Sequence, residues 1–203
     1  KLRNLPNSIS PEEQILLERI IENYDLYLES LVEDGFFDYA TIQRSLLDVL
    51  KLQEQVAKDI VSKYRIVFVD EYQDVNDVQN EIFGELCRHG AKLVVVGDDD
   101  QSIYGFRGGK VEHLVNFDKY MKNLGAKIEI KRLETNYRST RQIVSDTSNF
   151  INSQSYLRLK KDLKASRDVS GPNVRIIQFD SDVTEAGQIV NEISEMRRSN
   201  TIA

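Results

Sequence analysis

At 203 residues, with 40% hydrophobic and 30% charged residues, the chain has the make-up of an ordinary globular protein, long enough for one sizeable domain or parts of two. No run approaches the roughly 18 continuous apolar residues of a membrane span, no signal peptide stands out, and one cysteine, Cys87, rules out an internal disulfide, which points to a reducing cytoplasm. A net charge of −6, from 27 basic and 33 acidic residues, argues against nucleic-acid binding through a broad basic surface but leaves room for a narrow groove.

Residues 1 to 9 read as irregular. Ser10-Pro11-Glu12-Glu13 is a helix start with a capping box, and apolar residues at Ile15, Leu16, Ile20, Tyr24, Tyr27, Leu28 and Leu31 follow helical spacing as far as Asp34-Gly35. Phe36 to Tyr39 opens a second helix, predicted to run through about Val61 with Leu46, Val49 and Leu50 on its apolar side. Plain core packing is the favoured role for Phe36 and Phe37. Two apolar runs, Ile66–Val69 and Leu93–Val96, then end abruptly in acidic residues, and their composition suits strands buried on both faces of a parallel sheet. Between them Asn76 to His89 reads as a helix stopped by Gly90. Further along, Val111 to Leu124 reads as a helix and Lys127 to Leu133 alternates as a strand. Ser139-Thr-Arg-Gln142 is a capping box opening a helix to about Ile151. A linker at Asp168–Pro172 precedes a strand over Val174–Phe179, and Asp182-Val-Thr-Glu185 caps a last helix through Met196. Strands alternating with helices predict an α/β fold, a partial parallel sheet with flanking helices plus an N-terminal helical segment. The histidines, His89 and His113, suit cap or surface roles, and the lack of a Cys/His cluster argues against zinc.

Ligands of open α/β sheets sit at the carboxyl ends of the strands, so Asp70, Glu71 and the Gly97–Gln101 turn should line one crevice. A carboxylate in Asp70's place can hold Mg²⁺ through water, and one in Glu71's place can orient and deprotonate a lytic water. Gln101 carries an uncharged amide that can donate to a phosphate and accept from water. Tyr104, Phe106 and Arg107 interleave aromatics with a cation, the mixture that stacks bases and holds phosphates of a single strand; core aromatics are the alternative. Nine basic residues lie between Lys131 and Arg167 (Lys131, Arg132, Arg138, Arg141, Arg158, Lys160, Lys161, Lys164 and Arg167), which reads equally as a solvated face or a phosphate track.

Asp70-Glu-Tyr-Gln-Asp74, followed by Gly97-Asp-Asp-Asp-Gln-Ser-Ile-Tyr-Gly-Phe-Arg-Gly-Gly109, resembles motifs II and III of the UvrD/Rep/PcrA family of superfamily 1 DNA helicases. Leu133-Glu-Thr-Asn-Tyr-Arg-Ser139 resembles motif IV, and the likeness is good from about Phe36 onward, with no diagnostic motif before it. The resemblance implies RecA-like (P-loop NTPase) motor domains. Residues 1–62 would be a helical segment, 63–126 the later part of the first motor domain and 127–203 the start of the second. It also implies ATP and Mg²⁺ as ligands, single-stranded DNA as partner, 3′ to 5′ translocation, and work in DNA repair or replication. Asp70 would serve the metal, Glu71 the water and Gln101 the γ-phosphate. Tyr104, Phe106 and Arg107 would face the strand, with Phe106 where many members carry Trp. Tyr137 would stack on adenine, and Arg138 would act as an arginine finger. A capping arginine beside a buried tyrosine is the alternative for that last pair.

The one Gly-Lys pair, Gly109-Lys110, precedes Val111 and has Tyr104 five positions before Gly109, so no Gly-x-x-x-x-Gly-Lys-Ser/Thr loop is present; motifs V and VI are absent too. The expectation is a piece of a helicase that does not turn over ATP by itself. The motor part of a helicase–nuclease subunit and an inactive binding module are the rivals.

Overall fold

A computed structural model of the chain describes residues 10–154 and 157–199. The irregular stretch expected over residues 1 to 9 lies outside them. The chain falls into two compact units, one of residues 1–130 with 157–159 and one of residues 131–156 with 160–203. The architecture is mixed and dominated by helices, with two small parallel sheets of two strands each among the described residues.

In the first unit, α1 (Pro11–Asp34) begins as expected. Ser10 Oγ accepts the Glu13 N–H at 3.2 Å, Glu13 accepts the Ser10 N–H at 2.8 Å, and Gly35 closes the helix at φ 70°. No residue of α1 is buried. The single helix expected from Phe36 to Val61 is two, α2 (Tyr39–Leu52) and α3 (Glu54–Lys63), because Gln53 leaves helical geometry at φ −121°, ψ 78°. The break lets Leu47 and Leu50 from one helix and Ala57 and Val61 from the other enter a single core with Ile82, Leu86 and Ala91. Asp38 caps α2 through a capping box with Thr41. Phe36 and Phe37, expected in the core, are both 66% exposed; the helix start is set by the Asp38 cap and not by their burial.

Strands β1 (Ile66–Val69) and β2 (Lys92–Val95) pair in parallel, from Ile66 opposite Lys92 to Val69 opposite Val95. Helix α4 (Asp77–Arg88), capped by Asn76, supplies the crossover that a parallel pair needs. Burial on both faces is not observed: Val67 packs on the core, while Ile66, Phe68, Val94 and Val96 are exposed on the other face among the described residues. Composition reported the apolar character of these strands, not how many layers cover them.

The helix expected from Val111 to Leu124 breaks at Asn116 into α5 (Val111–Val115) and α6 (Phe117–Asn123). Asn116 leaves helical geometry at φ −100°, ψ 12°, and both its backbone N–H and its side-chain amide donate to the Glu112 carbonyl. The break brings Phe117 edge-on to the buried Tyr72, ring centroids 5.2 Å apart. Tyr72 O–H donates to Asn80 Oδ1 at 2.9 Å, and both residues are buried. Tyr72→Phe leaves that acceptor without its donor and is expected to cost about 1–2 kcal/mol, read as a lower urea midpoint with an unchanged slope.

In the second unit, β3 (Thr135–Asn136) pairs in parallel with β4 (Lys164–Ala165), and the helices are α7 (Arg141–Asn152) and α8 (Asp182–Arg198). The expected Ser139 cap is displaced to Thr140, because Asn136 Oδ1 takes the N–H groups of both Arg138 and Ser139 and extends the turn. Ser181, not Asp182, caps α8, in a box with Thr184. The strands expected over 127–133 and 174–179 do not form: Ile130, Leu133 and Ile176 are exposed, and no partner ladder reaches them among the described residues. Alternation marks a face, but a strand also needs a neighbour for its backbone groups.

Candidate functional site

The ends of β1 and β2 are stitched together beyond the regular ladder. The Val96 N–H donates to the Val69 carbonyl and the Tyr72 N–H to the Val96 carbonyl, both at 2.9 Å. Asp70-Glu71 and the turn after β2 therefore share one rim, as the motif order suggests. Helix α5 packs against both turns, Tyr72–Asp74 and Asp99–Gln101.

Glu71 sits at φ 51°, ψ 45°, the one non-glycine residue with positive φ among the described residues. Left-handed backbone at such a residue costs about 1–2 kcal/mol and persists where its surroundings hold it. Two contacts hold it here. Asp70 Oδ1 accepts the Glu71 N–H at 2.9 Å, and Gln73 Nε2 donates to Glu71 Oε2 at 2.7 Å. Gln73 is 2% exposed, and its Oε1 accepts the Asp98 N–H at 3.0 Å. Asp98 Oδ2 in turn accepts Gln101 Nε2 at 2.6 Å. A continuous hydrogen-bonded relay thus runs from Glu71 through Gln73 and Asp98 to Gln101. Gly97 is required beside it, since a Cβ there lies 2.9 Å from Gln73 Oε1 and 3.2 Å from the Tyr72 nitrogen.

Sequence reasoning missed Gln73. Its signal was an uncharged amide two residues after Glu71, in a run otherwise acidic and aromatic. Asp74, at the end of the same run, has its carboxyl pushed above the usual range by burial and then by the charge of Glu71; its Oδ1 is buried with no hydrogen-bond partner among the described residues. No cluster of three or more His, Cys, Asp or Glu residues forms a metal cage among the described residues. Asp70 with its neighbour suits Mg²⁺, which keeps waters and phosphate oxygens and needs one or two carboxylates, better than a cation bound wholly by protein.

Tyr104, Phe106 and Arg107 come together on the surface. The two rings lie 5.9 Å apart, and the Arg107 guanidinium carbon stands 5.1 Å from one centroid and 5.5 Å from the other. Phe106 is 81% exposed, which excludes the core alternative for it. Gly109, just beyond, runs against the Asp74 backbone, where a Cβ lies 3.0 Å from the carbonyl oxygen.

Tyr137 and Arg138 lie on the second unit, on the turn after β3. Tyr137 is 75% exposed, so it is not the buried tyrosine of the alternative reading. Arg167 Nη1 donates to the Arg138 carbonyl at 3.0 Å. Several cations of the basic stretch are paired: Arg141 with Asp168, Lys164 with Asp162 and Arg158 with Asp100. Of the histidines, His89 closes α4 through its backbone N–H while its ring Nε2 lies 2.9 Å from the Leu50 carbonyl of α2, and His113 lies 2.9 Å from Asp77, whose carboxyl Lys110 holds below its usual range.

Residues 2–122 match the family model of the UvrD/REP helicase N-terminal domain. The chain belongs to the UvrD/REP helicase family. Residues 131–203 match the UvrD-like helicase C-terminal domain. Among similar proteins, a probable DNA helicase II homolog of Rickettsia conorii is 34% identical over 198 residues, 97% of this chain and 29% of that protein. The ATP-dependent DNA helicase PcrA of Leuconostoc citreum is 32% identical over 190 residues, 92% of this chain and 24% of its own length. DNA helicase II of Haemophilus influenzae is 30% identical over 190 residues, 94% and 25% of the two chains. The chain therefore spans under a third of the length of these relatives. The family match begins well before Phe36 and takes in α1, where the sequence showed no diagnostic motif. No described helix is long and apolar enough to cross a membrane.

Proposed function

We propose that the protein is an ATP-dependent DNA helicase that moves 3′ to 5′ along single strands in the cytoplasm, serving DNA repair or replication. The β1–α4–β2 unit, within residues 63–126, belongs to the first of two RecA-like motor domains, residues 127–203 begin the second, and residues 1–62 are a helical addition. The observation that carries this reading is the relay from Glu71 to Gln101. It joins a carboxylate suited to activating water to an amide suited to sensing phosphate, and Tyr104, Phe106 and Arg107 follow directly in the chain.

Glu71 is the base: Gln73 fixes one of its oxygens, leaving the other to accept the proton of the attacking water. Asp70 would hold Mg²⁺, which would supply charge neutralisation on the phosphates of a bound nucleotide. Gln101 reports the γ-phosphate, and its bond to Asp98 passes that state back to Gln73 and Glu71. Tyr137 stacks on adenine, and Arg138 meets charge on the transferring phosphoryl group. The phosphate-cradling loop is supplied by residues other than these 203, so the chain alone is expected to hydrolyse no ATP.

The test is ATP hydrolysis by the full-length protein with and without single-stranded DNA. Stimulation by DNA is expected; hydrolysis indifferent to DNA, or none at all, overturns the reading. Phe106→Ala should weaken single-strand binding about tenfold or more, as loss of one stacked base does, in a fluorescence anisotropy titration at fixed salt. Unchanged affinity would remove Phe106 from the DNA surface.

A further inference from the structure

The three consecutive aspartates after β2 read in the sequence as one acidic turn, but the structure gives them separate partners. Asp98 belongs to the relay. Asp99, only 4% exposed, accepts the Leu159 backbone N–H on Oδ2 at 2.7 Å. Asp100 Oδ2 pairs with Arg158 Nη2 at 2.9 Å, with both side chains largely shielded, at 13% and 17% exposure. The partners lie 58 and 60 residues away in sequence. Residues 157–159 pack with the first unit, although the sequence on either side of them belongs to the second.

Carboxylates withdrawn from water are held only where donors compensate them, and a shielded pair fixes geometry in a way that an exposed pair does not. Arg44 and Asp48, exposed on α2, are such a solvent-swept pair. The clasped aspartates lie in the same short turn as Gln101, whose backbone N–H donates to the Asp98 carbonyl at 3.0 Å and whose side chain donates to the Asp98 carboxylate. Displacing Asp99 and Asp100 therefore displaces Gln101.

We infer that Arg158 is a positioning residue: together with the Leu159 N–H it clasps Asp99 and Asp100 and thereby sets the place of Gln101. This rests on the reading of Gln101 as the phosphate sensor. It explains one member of the basic stretch that serves neither as a free solvated face nor as a phosphate track.

The experiment has two arms. In the 203-residue chain, amide hydrogen exchange is measured for Arg158→Met, Asp100→Asn, the double variant and Arg158→Lys. Each of the first two should speed exchange at Asp100 and Gln101 by about tenfold, with Val95 and Val96 unmoved. The double variant should be no faster than the faster single, and Arg158→Lys, which keeps the charge, should recover part of the protection. In the full-length protein, Arg158→Met should lower DNA-stimulated kcat about tenfold with KM for ATP unchanged. Unchanged exchange at Gln101, additive effects in the double variant, or faster exchange with wild-type kcat each overturn the inference. A full-length protein with no DNA-stimulated turnover would refute the helicase reading instead, and the exchange at Gln101 would still decide the clasp.

Discussion

Glu71→Gln in the full-length protein is expected to lower DNA-stimulated ATP turnover by about a thousandfold while leaving nucleotide affinity within a fewfold of wild type. The substitution keeps the shape of the side chain and an oxygen that can accept from Gln73 Nε2, so the contact that now stands at 2.7 Å survives. It keeps the strained φ of 51°, which glutamine tolerates no better and no worse. What it removes, on the proposed reading of Glu71 as the base, is the site for the proton. A thousandfold corresponds to about 4 kcal/mol of transition-state stabilisation, more than rearrangement of one exposed side chain supplies. The check is kcat from steady-state hydrolysis beside direct titration of a fluorescent nucleotide. Turnover near wild type would take the base role from Glu71. Loss of binding along with turnover would mean that Glu71 holds the nucleotide and does not act on water.

Much of this site was legible before any coordinates, and the reason is chemical. An Asp-Glu pair, a glutamine after an aspartate run and an aromatic–arginine cluster are unusual in an ordinary surface turn, and their order placed them on one rim. What the sequence did not show is how they are held. The left-handed backbone of Glu71 has no local signature, because glutamate is not a residue that favours it. Gln73 looked like spacing between acidic residues, and its burial depends on α5 and Gly97 closing over it. Arg158 looked like one of nine cations. The fold shows the same division. The Ser10 cap is local and was found, whereas Asn76, read as the first residue of its helix, is the cap, and the starts at Thr140 and Ser181 each lie one residue from the expected cap. The breaks at Gln53 and Asn116 follow from what the helices pack against. Whether an alternating segment becomes a strand depends on a neighbour that periodicity does not name.

Gln73→Met should reduce turnover about a hundredfold and destabilise the first unit by about 1–3 kcal/mol. Methionine matches glutamine closely in length and volume, so the buried space stays filled and the change is chemical. Both ends of the amide are lost. The Asp98 N–H loses its acceptor at 3.0 Å, which is the source of the stability cost, since Gln73 is 2% exposed and little water reaches the gap. The Glu71 carboxylate loses its donor at 2.7 Å and with it the orientation that the proposed base role requires, which is the expected source of the kinetic cost. The two effects separate in a double variant. If Gln73 acts on hydrolysis through Glu71, adding Gln73→Met to Glu71→Gln should cost little further turnover, because the base is already gone. The loss in urea midpoint should persist in full, because it arises at Asp98. Independent, multiplying losses in kcat would show that Gln73 serves turnover by another route, with the relay toward Gln101 the first place to look.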